Sequence, residues 1–162
     1  NGFKLIRTEM DKLLCSQSKE TNLELVHQLY QSNIHQARMG SVMIFGHYAT
    51  TDKSVLSFLR KTVSNDPSWQ VQEMLAMAFD QYCKDMGYKK ALPIIKSWLK
   101  DKNPNVRRAV TEGLRVWTKR DYFKEHPDVA IALLTPLIDD KFENVRKSVL
   151  NALNDINKST SR

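Results

Sequence analysis

Glycine is scarce in this chain, five residues in 162, and none of them falls in the spacing of a phosphate-cradling loop or a nucleophile elbow. A nucleotide cradle and an activated side-chain nucleophile are therefore not expected. Cysteine is scarcer still. Cys15 and Cys83 stand far apart, too few for a disulfide framework and without metal-like spacing, which fits a reducing, cytoplasmic setting, nucleoid-associated if the source is prokaryotic. His27, His35, His47 and His126 share no ligand-like spacing with each other or with either cysteine, so no metal and no cofactor is expected. No stretch approaches the roughly 20 apolar residues that span a bilayer, and the N-terminus lacks the order of a signal peptide, so no membrane partner is expected. Strand-like alternation of β-branched residues is almost missing too.

What is present is a repeat. A short polar turn followed by an apolar-periodic run occurs at Asn65-Asp66-Pro67-Ser68-Trp69-Gln70-Val71-Gln72, at Asn103-Pro104-Asn105-Val106-Arg107-Arg108, and at Phe142-Glu143-Asn144-Val145-Arg146-Lys147. Aligning the valines gives 106 − 71 = 35 and 145 − 106 = 39, the period of HEAT-like helix pairs. Ahead of each turn lies a first helix: residues 55–60, 92–99 and 129–138 are apolar at three- and four-residue spacing. Pro67 and Pro104, with the Asn and Asp residues beside them, supply a fixed φ and a side-chain cap where each second helix begins. Upstream, residues 23–30 and 36–48 read as another pair and residues 3–15 as a capping helix. With 41% hydrophobic residues, the expectation is one all-α domain over 1–162, an α-α superhelix with helix pairs continuing to about residue 158. The second helices would line a basic concave groove. A solenoid with capped ends is expected to be monomeric.

The formal net charge is +7, and a polyanion is the simplest partner that uses such an excess. Arg107, Arg108, Arg115, Lys119 and Arg120 lie in or just after one second helix, with Arg146, Lys147 and Lys158 in the next. Arg107 and Arg146 are equivalent in repeat phase, as are Arg108 and Lys147. Rungs of cations about 10 Å apart, the usual distance between packed helices, can follow the phosphates of double-stranded DNA without reading its sequence. A structural alternative stands beside this for Arg107 and Arg146: a basic residue after the helix-start valine can pair with an Asp of the neighbouring turn. Trp69 and Trp98, at turn and first-helix positions, are expected to be packing residues.

The run Arg107-Arg108-Ala109-Val110-Thr111-Glu112-Gly113-Leu114-Arg115-Val116-Trp117, then Asp139-Asp140, then residues 144–158 from Asn144-Val145-Arg146-Lys147-Ser148-Val149 to Leu153-Asn154-Asp155-Ile156-Asn157-Lys158, resembles the HEAT-like-repeat DNA alkylation repair glycosylases. The AlkC branch is the nearer in these motifs and AlkD the more distant. The resemblance covers about the C-terminal third, and the preceding repeats agree in architecture. It implies hydrolysis of the N-glycosidic bond of cationic alkylated bases, of the N3-methyladenine or N3-methylcytosine type, in duplex DNA. It implies catalytic roles for Asp155, for Glu73 and for Trp117, the glutamate being assigned by repeat phase.

Such a trio suits the chemistry. Losing a cationic base leaves oxocarbenium character on the sugar, which an ionised carboxylate stabilises while orienting a water. An indole face adds a cation–π contribution of about 0.5 to 2 kcal/mol. The stretch before Trp117 is three residues shorter than the branch's proline-rich one, which leaves open a second place for Trp117 inside the helix packing. Glu112 is expected to pair with an arginine. Two other functions compete with the glycosylase: a non-catalytic HEAT-like DNA-binding protein, and a scaffold whose basic face meets an acidic protein.

Overall fold

The structure, a computed structural model, describes residues 2–115 and 117–161, and every regular element among them is helical. They fall into two compact units that divide between Asp85 and Met86.

The first unit holds α1 (Gly2–Ser16), α2 (Lys19–Tyr30), α3 (His35–Tyr48), α4 (Lys53–Lys61) and α5 (Trp69–Met86). α2 and α4 start where a short polar side chain takes up an orphan amide. Ser18 Oγ accepts from the Thr21 amide at 3.2 Å, and Asp52 Oδ1 from that of Ser54 at 2.9 Å. The core is filled at helical spacing by Val26 of α2, Val42 and Phe45 of α3, Leu59 of α4, and Val71, Leu75 and Phe79 of α5, all fully buried. Gly46 lets α3 approach α5 closely. A Cβ added there would stand 2.9 Å from Ala78 Cα.

The second unit holds α6 (Tyr88–Leu99), α7 (Pro104–Gly113), α8 (Asp121–Glu125), α9 (Pro127–Leu134) and α10 (Glu143–Thr160). It opens at Gly87, whose φ of 89° is a conformation that only glycine takes without strain. α7 packs against both α6 and α10, and α10 against α9. Ile95, Trp98, Val106, Val110, Leu134, Val149 and Ile156 close the core between them. The hydroxyls of Thr111 and Ser148, both buried, join α7 to α10 at 2.6 Å.

One device recurs at the turns. Asp66, Asp101 and Asp140, spaced 101 − 66 = 35 and 140 − 101 = 39, each accept from the amide two residues on, at 2.9, 2.8 and 3.0 Å. Their backbone carbonyls accept from the side chain six residues on, Gln72 at 3.0 Å, Arg107 at 2.8 Å and Arg146 at 2.6 Å. This knot explains the sequence period: the acidic residue closes the turn ahead of a new helix while the residue after the helix-start valine ties that helix back to its own turn.

Candidate functional site

The expected cations part into two kinds. Arg107 is enclosed, its side chain only 9% exposed. Its Nε and Nη2 grip the two carboxylate oxygens of Asp140 at 2.8 and 2.9 Å, and its Nη1 also donates to the Lys102 carbonyl at 3.2 Å. No phosphate can reach it in this state, so its expected DNA-binding role is corrected to a structural one. The structural alternative holds because a guanidinium this buried needs a carboxylate in bidentate geometry. The same clasp stands in the first unit, where Arg38 Nε and Nη2 hold Asp66 at 2.9 and 3.2 Å. Burial alone would raise the Asp140 and Asp66 carboxyls; the guanidinium bonds and the turn amides overcome it and hold both below the ordinary carboxylate range.

The other cations are more open. Arg115, Lys119, Lys147 and Lys158 are exposed, while Arg108, Arg120 and Arg146 are partly so. Arg120 lies over the Tyr88 ring at 5.9 Å. Arg108 stands 4.0 Å from Glu112, the arginine partner expected for that carboxylate. Arg108 also lines a cleft of about 160 Å³ at the starts of α7 and α10, with Pro104, Phe142 and Glu143. Glu143 of that lining holds Lys147 at 2.7 Å, so Arg108 is the cation in the cleft wall and Lys147 is tied to one of its acidic residues.

The three expected catalytic residues fare differently. Trp117 sits in a single 3₁₀ turn, Trp117–Lys119, and is 0% exposed. Its ring packs 4.5 Å from that of Phe123. Its placement over a sugar or lesion is thereby corrected. The shortened, proline-free stretch lets the chain leave α7 at Gly113 and fold the indole inward, where burying a large aromatic surface is worth more than exposing it; Val116 of that stretch lies outside the described residues. Asp155, on α10, is 36% exposed, but Arg115 Nε meets its Oδ2 at 3.3 Å. A carboxylate reserved for a developing cation is here already facing one. Glu73 lies in the first unit, on α5, and is partly exposed.

Trp69 reverses its expected packing role. At 69% exposure it is the open tryptophan of the three, whereas Trp98 is buried as expected. Trp69 and Glu73 are one turn apart on α5, close enough in phase to share a face. Helical phase carries the signal for this: the buried residues of α5 include Val71, Met74, Leu75, Ala78 and Tyr82, while 69, 73 and 77 fall between those rows.

A family model described as HEAT repeats matches residues 56–154. The chain belongs to the HEAT-repeat family. AlkD2 from Streptococcus mutans, a solved structure, is 50% identical to this HEAT-repeat chain, with a TM-score of 0.95 over 99% of it and 77% of that protein. The structure of smu.31 from Streptococcus mutans UA159 is 49% identical, with a TM-score of 0.93 over 96% of this chain and 77% of that one. These likenesses agree with the HEAT-like-repeat repair glycosylase superfamily and with an all-α solenoid; the solved relative bears the AlkD2 name, where the motifs had leaned toward AlkC. A curated relative, the uncharacterized protein YhaZ of Bacillus subtilis (strain 168), is 37% identical over 78 residues, 46% of this chain. The matched stretch spans only 22% of that protein.

Proposed function

We propose that this HEAT-repeat protein binds duplex DNA through its phosphates as a member of the alkylation-repair superfamily, without releasing bases at the Asp155–Trp117 pair. The observation that carries this reading is the division of the cations. Arg107 is locked into the fold, whereas Arg115, Lys119, Lys147 and Lys158 remain exposed in the second unit. Such cations attract a polyanion without selecting sequence. With Trp117 enclosed and Asp155 facing Arg115, the trio implied by the motifs cannot act as one. Contact with phosphates would occupy Arg115 and leave Asp155 as an acceptor, so DNA binding and release of that carboxylate are coupled.

A second reading, base release, is favoured by the Trp69–Glu73 juxtaposition on α5. There an exposed indole precedes a partly exposed carboxylate by one turn, the two groups that cleavage of a cationic N-glycoside calls for. In this reading Glu73 stabilises the developing sugar cation and orients the water, Trp69 faces the lesion, and the base is of the N3-methyladenine or N3-methylcytosine type.

Two measurements test both. Binding of a fluorescent duplex is followed against salt; four exposed cations on phosphates give a log–log slope near about −3.6. A salt-independent or absent affinity rejects DNA as the partner and leaves the protein-scaffold reading. Base release from methylated duplex is then compared for the parent, Glu73→Gln and Asp155→Asn. No release by the parent, with binding intact, supports the non-catalytic reading; release abolished by Glu73→Gln alone supports the second; release abolished by Asp155→Asn would overturn both accounts of the chemistry.

A further inference from the structure

Apart from the cleft at the starts of the second helices, the second unit carries a trough along its first helices. It has a volume of about 520 Å³ and lies between α6 and the segment from α9 through the 3₁₀ turn Thr135–Leu137. Its lining is apolar on both sides, with Leu99 from α6 and Leu133, Pro136 and Leu137 opposite. Lys96 on α6 and Lys100 just past its end, four residues apart, form the polar part of the wall, and among the described residues no acidic side chain lines it. Lys89, seven residues before Lys96 and on the same helical face, is exposed and extends the cationic edge toward the start of α6.

An apolar trough of this volume falls in the range of sites that hold a ligand's apolar groups. A row of lysines on one wall selects the charge of what lies beside those groups. Duplex DNA fits poorly, because a phosphate backbone offers nothing to cover leucine and proline side chains. We propose that this trough docks an acidic, leucine-bearing peptide segment of a partner protein, its apolar side chains in the trough and its carboxylates on Lys96 and Lys100. The surface belongs to the first helices α6 and α9, whereas Arg108, Lys147 and Asp155 belong to the second helices α7 and α10, so the protein could hold this partner and a nucleic acid with different sides of its helix pairs. The inference stands whether or not the DNA reading does.

The test is fluorescence anisotropy of a fluorescein-labelled peptide alternating leucine with aspartate and glutamate, titrated with the full chain. Its counterpart with every acid replaced by the amide serves as reference. The acidic peptide binds more tightly than the amide. Lys96→Glu/Lys100→Glu weakens it by about tenfold or more, as reversing two charges at an interface does, and Ala132→Trp, which fills the trough from its exposed wall, weakens it without altering charge. Both variants keep the parent's melting temperature and its affinity for duplex DNA. Equal binding of acidic and amide peptides, or indifference to both variants, overturns the proposal. So does loss of duplex DNA binding in the lysine variant, which would assign the row to nucleic acid, or concentration-dependent dimerisation abolished by Ala132→Trp, which would assign the trough to a second copy.

Discussion

The Arg107–Asp140 clasp can be broken from either end, and the two ends should not be equivalent to removing both. In Arg107→Met the Asp140 carboxylate stays in a site where its side chain is 7% exposed, still accepting from the Phe142 amide. The carbonyls of Asp101 and Lys102 lose their guanidinium donor as well. Removing one partner of a buried pair costs about 3–5 kcal/mol. Taking about 3 kcal/mol, and about 2–4 °C of melting temperature per kcal/mol for a chain of this size, the variant melts about 6–12 °C below the parent. The double change Arg107→Met with Asp140→Asn removes the unpaired charge and recovers at least half of that loss, because a missing pair costs less than a stranded ion.

Acid supplies the sign. The Asp140 carboxyl is held below its ordinary value by Arg107 and the turn amide against the opposing effect of burial. A group depressed in the fold contributes stability that is complete above its unfolded value, about 3.9, and is lost as pH falls through the folded one. The gap between parent and Arg107→Met is therefore widest at neutral pH and narrows as pH falls, first as the variant's stranded carboxyl, raised by burial, takes up its proton and then as the parent's depressed one does. Urea unfolding across pH measures both effects. A loss under about 1 kcal/mol, the value of an exposed pair, a double variant no better than the single, or a gap that persists far into acid would refute the reasoning.

Further outcomes follow from other positions. Gly46→Ala forces its new methyl against Ala78 and lowers stability in the first unit by about 1–3 kcal/mol, the usual cost of overpacking, read by chemical denaturation. Gly87→Ala has space for its methyl, but at a φ of 89° the strain remains, so about 1–2 kcal/mol is lost without a change in the core. A maleimide reagent labels exposed Cys15 in the native protein and reaches Cys83 only on unfolding, since burial both encloses that thiol and pushes its pKa up; stoichiometric native labelling of both would contradict the packing of α5. Acrylamide quenches the emission of Trp69 and leaves that of Trp98 and Trp117, and Trp69→Phe removes the quenched component without lowering the melting temperature.

Much of the architecture was legible because helix pairs leave two independent marks, a period in the turns and an apolar phase in the helices. The offsets of 35 and 39 between helix-start valines recur in the aspartates that close the turns. Even the fate of Arg107 was readable as one of two alternatives, since the same sequence position serves the phosphate and the turn aspartate equally well on paper. Burial decides between them, and burial depends on how far Asp140 stands from α7, which no local pattern records. Two of the three tryptophans were less legible than Trp98, for different reasons. Trp117 follows the end of α7, where no helical phase exists to say which way a side chain turns. Trp69 does have a phase, off the row of Val71, Met74 and Ala78, and that phase rather than its nearness to a turn sets its exposure. The Arg115–Asp155 contact joins residues 40 apart in sequence and was visible only once α7 and α10 lay side by side.

The turn knot bears on how the chain can be taken apart. Each unit carries one complete arginine–aspartate clasp, Arg38 with Asp66 in the first and Arg107 with Asp140 in the second. At the intervening register the arginine is replaced by Gln72, whose amide group bonds the Ser64 and Asp66 carbonyls of its own turn, at 2.9 and 3.0 Å. Severing the chain after Asp85 would leave both clasps whole and strand neither an arginine nor an aspartate of the four. For protein engineering that makes the junction a natural seam, a place where one half could be exchanged for its counterpart from a relative without orphaning these ions.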